Sequence, residues 1–273
     1  MAADVAGHQV RGELHAAVVQ LQRLGERTHQ QGLAQPGHAF DQHVATGQQG
    51  DQDLVEHIGL ADEINRAPAK TQSALLEVMQ EGQVTIEGKA FALTPPFLTL
   101  ATQNPVEQEG TYPLPEAQLD RFLLKVLIDY PALEDEKRMV DAITTGRSAA
   151  DFDLTQVPRV LSGAEVVALQ QATAAITVDP EVIDYAVRIV AATRQWPGIA
   201  LGAGPRGSIA LVRAARAQAV LSGRDFVTPD DVRDIAKPAL RHRIALAPEL
   251  QIEGQSADDA LTALLAKVDA PRK

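Results

Sequence analysis

Apolar and polar positions follow two rhythms along this chain. From Ile58 to Ala61 a short apolar run ends in the acids Asp62 and Glu63. Between Pro68 and Gln80 the apolar residues Leu75, Leu76 and Met79 fall at helical spacing, and Pro68 suits a first helical turn. Val84 to Leu93 reads as a hairpin turning at Glu87-Gly88. Phe97 to Thr102 predicts a buried strand, and Leu123 to Ile128 a further one. Strands separated by helices imply a mainly parallel α/β layer.

Beyond a linker over residues 151–160 the rhythm is helical through residue 273. Ser162 with Glu165 forms a capping box at the sequence level. Asp179-Pro180 opens a helix to about Arg194, and Pro205 opens an alanine-rich helix that stops at Gly223. Thr228-Pro229-Asp230-Asp231 caps and opens a fourth. The expected organisation is an α/β unit over residues 58–150 followed by a helical unit over residues 161–273. Residues 1–57 differ from both. Only Gly12 to Arg27 has helical spacing there, and Gln30 to Asp53 is too poor in apolar residues to predict more than loop or disorder.

Composition narrows the function. The 273 residues carry a net charge of −11, which excludes nucleic-acid binding by bulk charge. The absence of cysteine removes disulfides, thiolate zinc sites and thiol catalysis. No apolar run approaches a membrane span, and Met-Ala-Ala-Asp-Val has no secretory character, so the cytoplasm is the expected location. Six of the seven histidines precede Ile58, but without close helical pairing or converging acids they read as solvated polar sequence rather than metal ligands.

The candidate chemistry sits at strand ends and helix starts. Adjacent carboxylates at the end of an apolar strand lie where open α/β sheets bind ligands. Asp62 there suits Mg²⁺ held through water, and Glu63 suits polarising an attacking water. Asn104 ends the next strand, where an amide can orient that water; the alternative is a turn-forming Asn-Pro. Arg121 has the charge and fork for a phosphoryl group on a neighbouring subunit, or else pairs with Asp120 or Glu116 at the surface. Arg206, just after Pro205, combines a guanidinium with a helix N-terminus, an arrangement that favours an anion; the alternative is a solvated helix-start arginine. Gly202, Gly204 and Gly207 match G-x-G-x-x-G, but with no βαβ context the dinucleotide reading is rejected.

The runs LADEINRAPAKTQSALLEVMQEGQVTIEG, ATQNPVEQEGTYPLPEAQLDRFLLKV, GAGPRGSIALVRAARAQAVLSGRDFVTPDDV and LRHRIAL together resemble MoxR-type AAA+ ATPases, from about Leu60 to Ala260. The resemblance implies a partial P-loop AAA+ parallel sheet with helices, followed by an all-α lid. It implies Asp62 and Glu63 as the Walker B pair, Asn104 as sensor 1, Arg121 as the arginine finger and Arg206 as sensor 2. It implies the hairpin as the pre-sensor-1 insertion, ATP and Mg²⁺ as cofactors, and rings, commonly hexamers. It also implies chaperone-like remodelling or maturation of partner proteins, often beside von Willebrand factor A domain proteins. A magnesium-chelatase-like subunit shares these motifs, and the lid sequence favours MoxR.

One departure stands out. The chain contains no G-x-x-x-x-G-K-[ST]; its only Gly-Lys pair, Gly88-Lys89, is followed by Ala90. Backbone amides and the lysine of that loop hold the β- and γ-phosphates. ATP turnover by this polypeptide is therefore expected near background, and the second functional class is a nucleotide-incompetent interaction module. Residues 1–57 are expected not to be the family's N-terminal half, either because a frameshift or mis-called start joined foreign sequence to it, or because the chain is a degraded paralogue.

Overall fold

The structure, a computed structural model, describes residues 58–86, 89–104, 112–144, 158 and 160–271. The expectations for residues 1–57, the Glu87-Gly88 turn and nearly all of the linker lie outside those residues.

In the first half, β1 (Ile58–Ala61) pairs in parallel with β4 (Leu98–Ala101), in register Ile58↔Leu98 to Ala61↔Ala101. The crossover between them carries α1 (Ala69–Glu81) and an antiparallel hairpin, β2 (Gln83–Ile86) with β3 (Lys89–Ala92). Pro68 is the N-cap of α1, one position before the expected first turn; its fixed φ suits the entry and it has no N–H to leave unpaired. Gly82 ends α1 at φ 60 and donates to Val78 O, a left-handed cap that glycine adopts without strain. Gly82 O then accepts from Leu93 N at 2.7 Å, which ties the end of the hairpin to the end of the helix.

Two expectations for this half need correction. The strand over Phe97–Thr102 forms, but it is not buried: Leu98 and Leu100 are exposed. Among the described residues β4 pairs with β1 alone, so neither a second neighbour nor a covering layer removes those side chains from water. The second correction concerns Leu123 to Ile128, which does not form a strand. Its backbone is engaged elsewhere: Lys125 N donates to Pro238 O at 2.8 Å, and the carbonyls of Leu123 and Lys125 accept from arginine side chains more than a hundred residues away. Leu124 packs against the lid core, while Val126, Leu127 and Ile128 are left in solvent.

After the short helix α2 (Glu116–Leu119) and α3 (Leu133–Thr144), the second half is built from α4 (Gly163–Ala175), α5 (Pro180–Thr193), α6 (Pro205–Leu221), α7 (Pro229–Leu240), α8 (Pro248–Ile252) and α9 (Ala257–Leu265). The expected capping box is present at Ser162–Glu165, and the expected cap at Thr228 is closed by Asp231 into a second one. The main buried cluster lies here, around Tyr185, Ile189, Leu211, Val232, Leu240, Leu261 and Leu264. The region is not purely helical: β5 (Ile199–Leu201) pairs antiparallel with β6 (Ala245–Leu246). This is the expected α/β part with an all-α lid, to which a small strand pair is added.

Candidate functional site

Strand pairing brings the acid pair and the end of β4 to one sheet edge. Thr102 N donates to Ala61 O and Ile64 N to Thr102 O, both at 3.0 Å, so the ladder continues one step past each strand. The Thr102 hydroxyl then organises both acids: Glu63 N donates to its Oγ1 at 2.8 Å, and that Oγ1 donates to Asp62 Oδ1 at 2.5 Å. Glu63 sits at φ 45, ψ 50, the left-handed region that non-glycine residues rarely occupy. Its carboxylate pairs with Arg66 Nε at 2.9 Å.

Below this edge lies a support layer that the sequence did not single out. Asn65 is buried, donates from Nδ2 to Asn104 O at 3.3 Å, and leaves its Oδ1 without a partner. Gln72 is 2% exposed and donates from one amide nitrogen to Ile64 O and Tyr112 O. Asn65 thus holds the loop after β1 against the end of β4, and Gln72 holds that loop to α1 and Tyr112. The only sequence signal for them was their place in the Ile64-Asn65-Arg66 run and on the inner face of α1. Asn104 is half-buried where expected, just past β4.

Arg206 belongs to a second cluster, organised by Asp120, the residue before Arg121. Asp120 Oδ1 accepts from Arg243 Nε at 2.9 Å, and its Oδ2 faces Arg206 Nη1 at 3.5 Å. Arg121 makes neither of the surface pairs expected for it; its Nε is buried without a hydrogen-bond partner. Arg206 is half exposed at the start of α6, whose N-cap, Gly204, supplies no side-chain cap. The helix N-terminus and the guanidinium there together favour negative charge. A cleft of about 220 Å³ separates α2 from the lid, lined by Glu116, Asp120, Gly202, Gly204, His242 and Arg243.

His242 is buried in this junction. Burial first, and then the neighbouring Arg243 charge, push its pKa down from 6.5 to about 4. Two of the G-x-G-x-x-G glycines, Gly202 and Gly207, have packing reasons. A Cβ on Gly202 would come within 2.6 Å of the Arg194 backbone, and one on Gly207 would press on Leu240. A short strand does precede them, but it pairs antiparallel, so no parallel βαβ unit surrounds the motif.

These residues fit one side of an ATP·Mg²⁺ site. Asp62 and Glu63 present carboxylates at a sheet edge, and the arginines present forks suited to phosphoryl oxygens. They do not fit the phosphate-holding side: the sequence has no loop of the required pattern. Among the described residues no group of three or more acids or histidines converges on a metal position.

Comparison with known proteins places these features in a family. Residues 37–124 match the ATPase family associated with various cellular activities (AAA), and residues 191–264 match the AAA lid domain. The chain is 44% identical over 218 residues to the uncharacterized protein YeaC of Bacillus subtilis, covering 80% of this chain and 67% of YeaC. It is 41% identical over 230 residues to chaperone MoxR1 of Mycobacterium tuberculosis, covering 80% of this chain and 59% of MoxR1. The crystal structure of a candidate ATPase from Cytophaga hutchinsonii superposes with TM-score 0.71 at 40% identity, over 79% of this chain and 67% of that one. On these matches, this chain belongs to the MoxR-type AAA+ ATPases.

Proposed function

We propose that this chain is a MoxR-type ATPase subunit that supplies the water-activating, sensing and charge-stabilising side of an ATP·Mg²⁺ site. In this reading Asp62 holds Mg²⁺ through water, Glu63 polarises the attacking water, and Asn104 orients it. Arg206 meets the phosphates from the lid, and Arg121 reaches the nucleotide of a neighbouring subunit in a ring. Hydrolysis in such an assembly is coupled to chaperone-like remodelling of partner proteins, with von Willebrand factor A domain proteins as candidate partners. One observation carries the reading: the Thr102 hydroxyl joins Asp62 and the Glu63 amide at the edge where β1 and β4 end side by side. A shared hydroxyl fixes the Asp62 carboxylate and the Glu63 backbone relative to the strand that leads to Asn104, the preorganisation a hydrolytic site requires.

The missing phosphate loop favours a second reading, a nucleotide-incompetent interaction module. The two readings part on nucleotide binding and turnover. The 273-residue polypeptide is expected to hydrolyse ATP at background rate alone and to raise turnover when mixed with a MoxR-type subunit that carries a phosphate loop. Glu63→Gln and Arg121→Ala report on the two halves of the site in that mixture. Turnover by the chain alone that Glu63→Gln abolishes would overturn the expectation of inactivity. A mixture with no gain over its active subunit would favour the interaction module.

A further inference from the structure

The lid run Arg241-His242-Arg243 follows α7 and grips the segment Asp120–Lys125 of the α/β part. The Arg243 side chain is only 3% exposed. A guanidinium has five N–H donors, and each of those on Arg243 has an acceptor. Nε donates to Asp120 Oδ1 at 2.9 Å. Nη2 donates to Asp120 O at 3.0 Å and Phe122 O at 2.6 Å. Nη1 donates to Leu123 O at 3.2 Å and to Ala239 O. Four of these five acceptors belong to Asp120, Phe122 and Leu123, the residues that bracket Arg121. The neighbours extend the grip: His242 Nε2 lies 3.0 Å from Phe122 O, Arg241 Nη1 donates to Lys125 O at 3.3 Å, and Lys125 N donates back to Pro238 O at 2.8 Å.

Arg121 takes no part in this grip. Its amide donates to Gln118 O at 3.1 Å, and its Nε has no partner. A side chain meant for a charge on another subunit cannot be tied down by a local ion pair, so its placement depends on the backbone that carries it. That backbone is an irregular turn with no helix or strand to fix it beyond Asp120. The carbonyls on both sides of Arg121 are instead held by one buried guanidinium from the lid. A lysine would keep the charge but not the fork that spans these acceptors.

We propose that Arg243 is the positioning residue of Arg121: by fixing the 120–123 turn from the lid, it makes the placement of the finger follow the placement of the lid. The role rests on the reading of Arg121 as an arginine finger, and on nothing else in the proposed reaction. Asp120 is the second member of the device, because its carboxylate joins Arg243 to Arg206 and so links finger turn and lid arginine through one residue.

Hydrogen exchange on the full chain tests the grip directly. In Arg243→Lys the amides of residues 121–125 are expected to exchange about tenfold faster or more, with α5 and α6 as protected as before. Arg121→Ala should leave exchange unchanged. Unchanged exchange at 121–125 in Arg243→Lys overturns the proposal, and so does loss of protection spread over the whole lid, which marks a general fold role. If Arg243→Lys does not fold, Asp120→Asn weakens the same grip and should speed the same amides.

Turnover in the mixture with a phosphate-loop-bearing subunit tests the consequence. Arg243→Lys should lower kcat with KM for ATP unchanged, and should lower it no further once Arg121→Ala is present. Additive losses overturn a positioning role. A turnover indifferent to Arg121→Ala sinks the finger reading and the role built on it, while the exchange result still decides whether the grip exists.

Discussion

At the scale of single residues, the lid–core junction shows how one side chain's hydrogen bonds fix another's protonation. His242 Nε2 lies 3.0 Å from Phe122 O, which also accepts from Arg243 Nη2, and His242 Nδ1 is buried without a partner. Arg243 Nη1 stands 2.8 Å from the Nε2 ring nitrogen, and its positive charge opposes a second one on the imidazole. With its pKa lowered from 6.5 to about 4, the folded state holds His242 neutral where the unfolded chain already binds a proton. The sign follows from linkage: the folded state is unpenalised above pH 6.5 and loses stability as pH falls from 6.5 toward 4. This contribution should make the chain about 2 kcal/mol less stable at pH 5 than at pH 7. His242→Gln keeps an N–H for Phe122 O and cannot titrate, so it should flatten that part of the slope in urea midpoints at the two pH values. An unchanged slope would assign the acid sensitivity to other groups.

At the scale of elements, local chemistry was legible and remote chemistry was not. The Ser162 capping box, the Thr228 cap, the proline-led starts of α5, α6 and α7, and the β2–β3 hairpin followed from residues within a few positions of one another. So did Asp62, Glu63 and Asn104, because a strand end is a local event. The Leu123–Ile128 run reads as a strand on its own, but its carbonyls go to Arg241 and Arg243, and no spacing rule links positions so far apart. Asn65 and Gln72 were missed for the same reason, since their partners Asn104 and Tyr112 lie about forty residues away in sequence. The start of α7 joins the two kinds of contact. Asp231 closes the capping box with Thr228 and also takes Arg224 Nη1 at 2.7 Å and Nη2 at 2.5 Å. Burial works against its charge, but the Arg224 and Thr228 donors outweigh it and hold the carboxyl below its ordinary value. Its contribution is therefore present at neutral pH and is lost only as strong acid protonates it. Asp231→Asn should cost about 2 kcal/mol, and Thr228→Ala about 1 kcal/mol. Because the two share one network, the double variant should lose less than the sum in urea denaturation. Strict additivity would mean that cap and ion pair act separately.

At the scale of the whole molecule, burial is uneven. The main buried cluster is formed by lid side chains, with Leu124 packed against it from the other half. In the α/β part, Ile64, Leu76 and Leu114 are the buried large hydrophobics among the described residues. A two-stranded sheet is marginal by itself, so that half depends on its junction with the lid. Val126, Leu127, Ile128 and Tyr130 meanwhile stand 57–98% exposed along one stretch that follows the junction. Consecutive exposed apolar side chains are a template for association. The 273-residue chain should therefore self-associate in a concentration-dependent way through this stretch. Val126→Asp with Ile128→Asp places two like charges on it without touching Leu124 or the carbonyls that Arg241 and Arg243 hold. Sedimentation velocity should show the double variant shifted to smaller species. Its stability should stay within about 0.5 kcal/mol of the parent chain, since both side chains are already in water. An unaltered sedimentation profile would move the contact to another surface, and a large loss of stability would mean that these side chains are covered in solution.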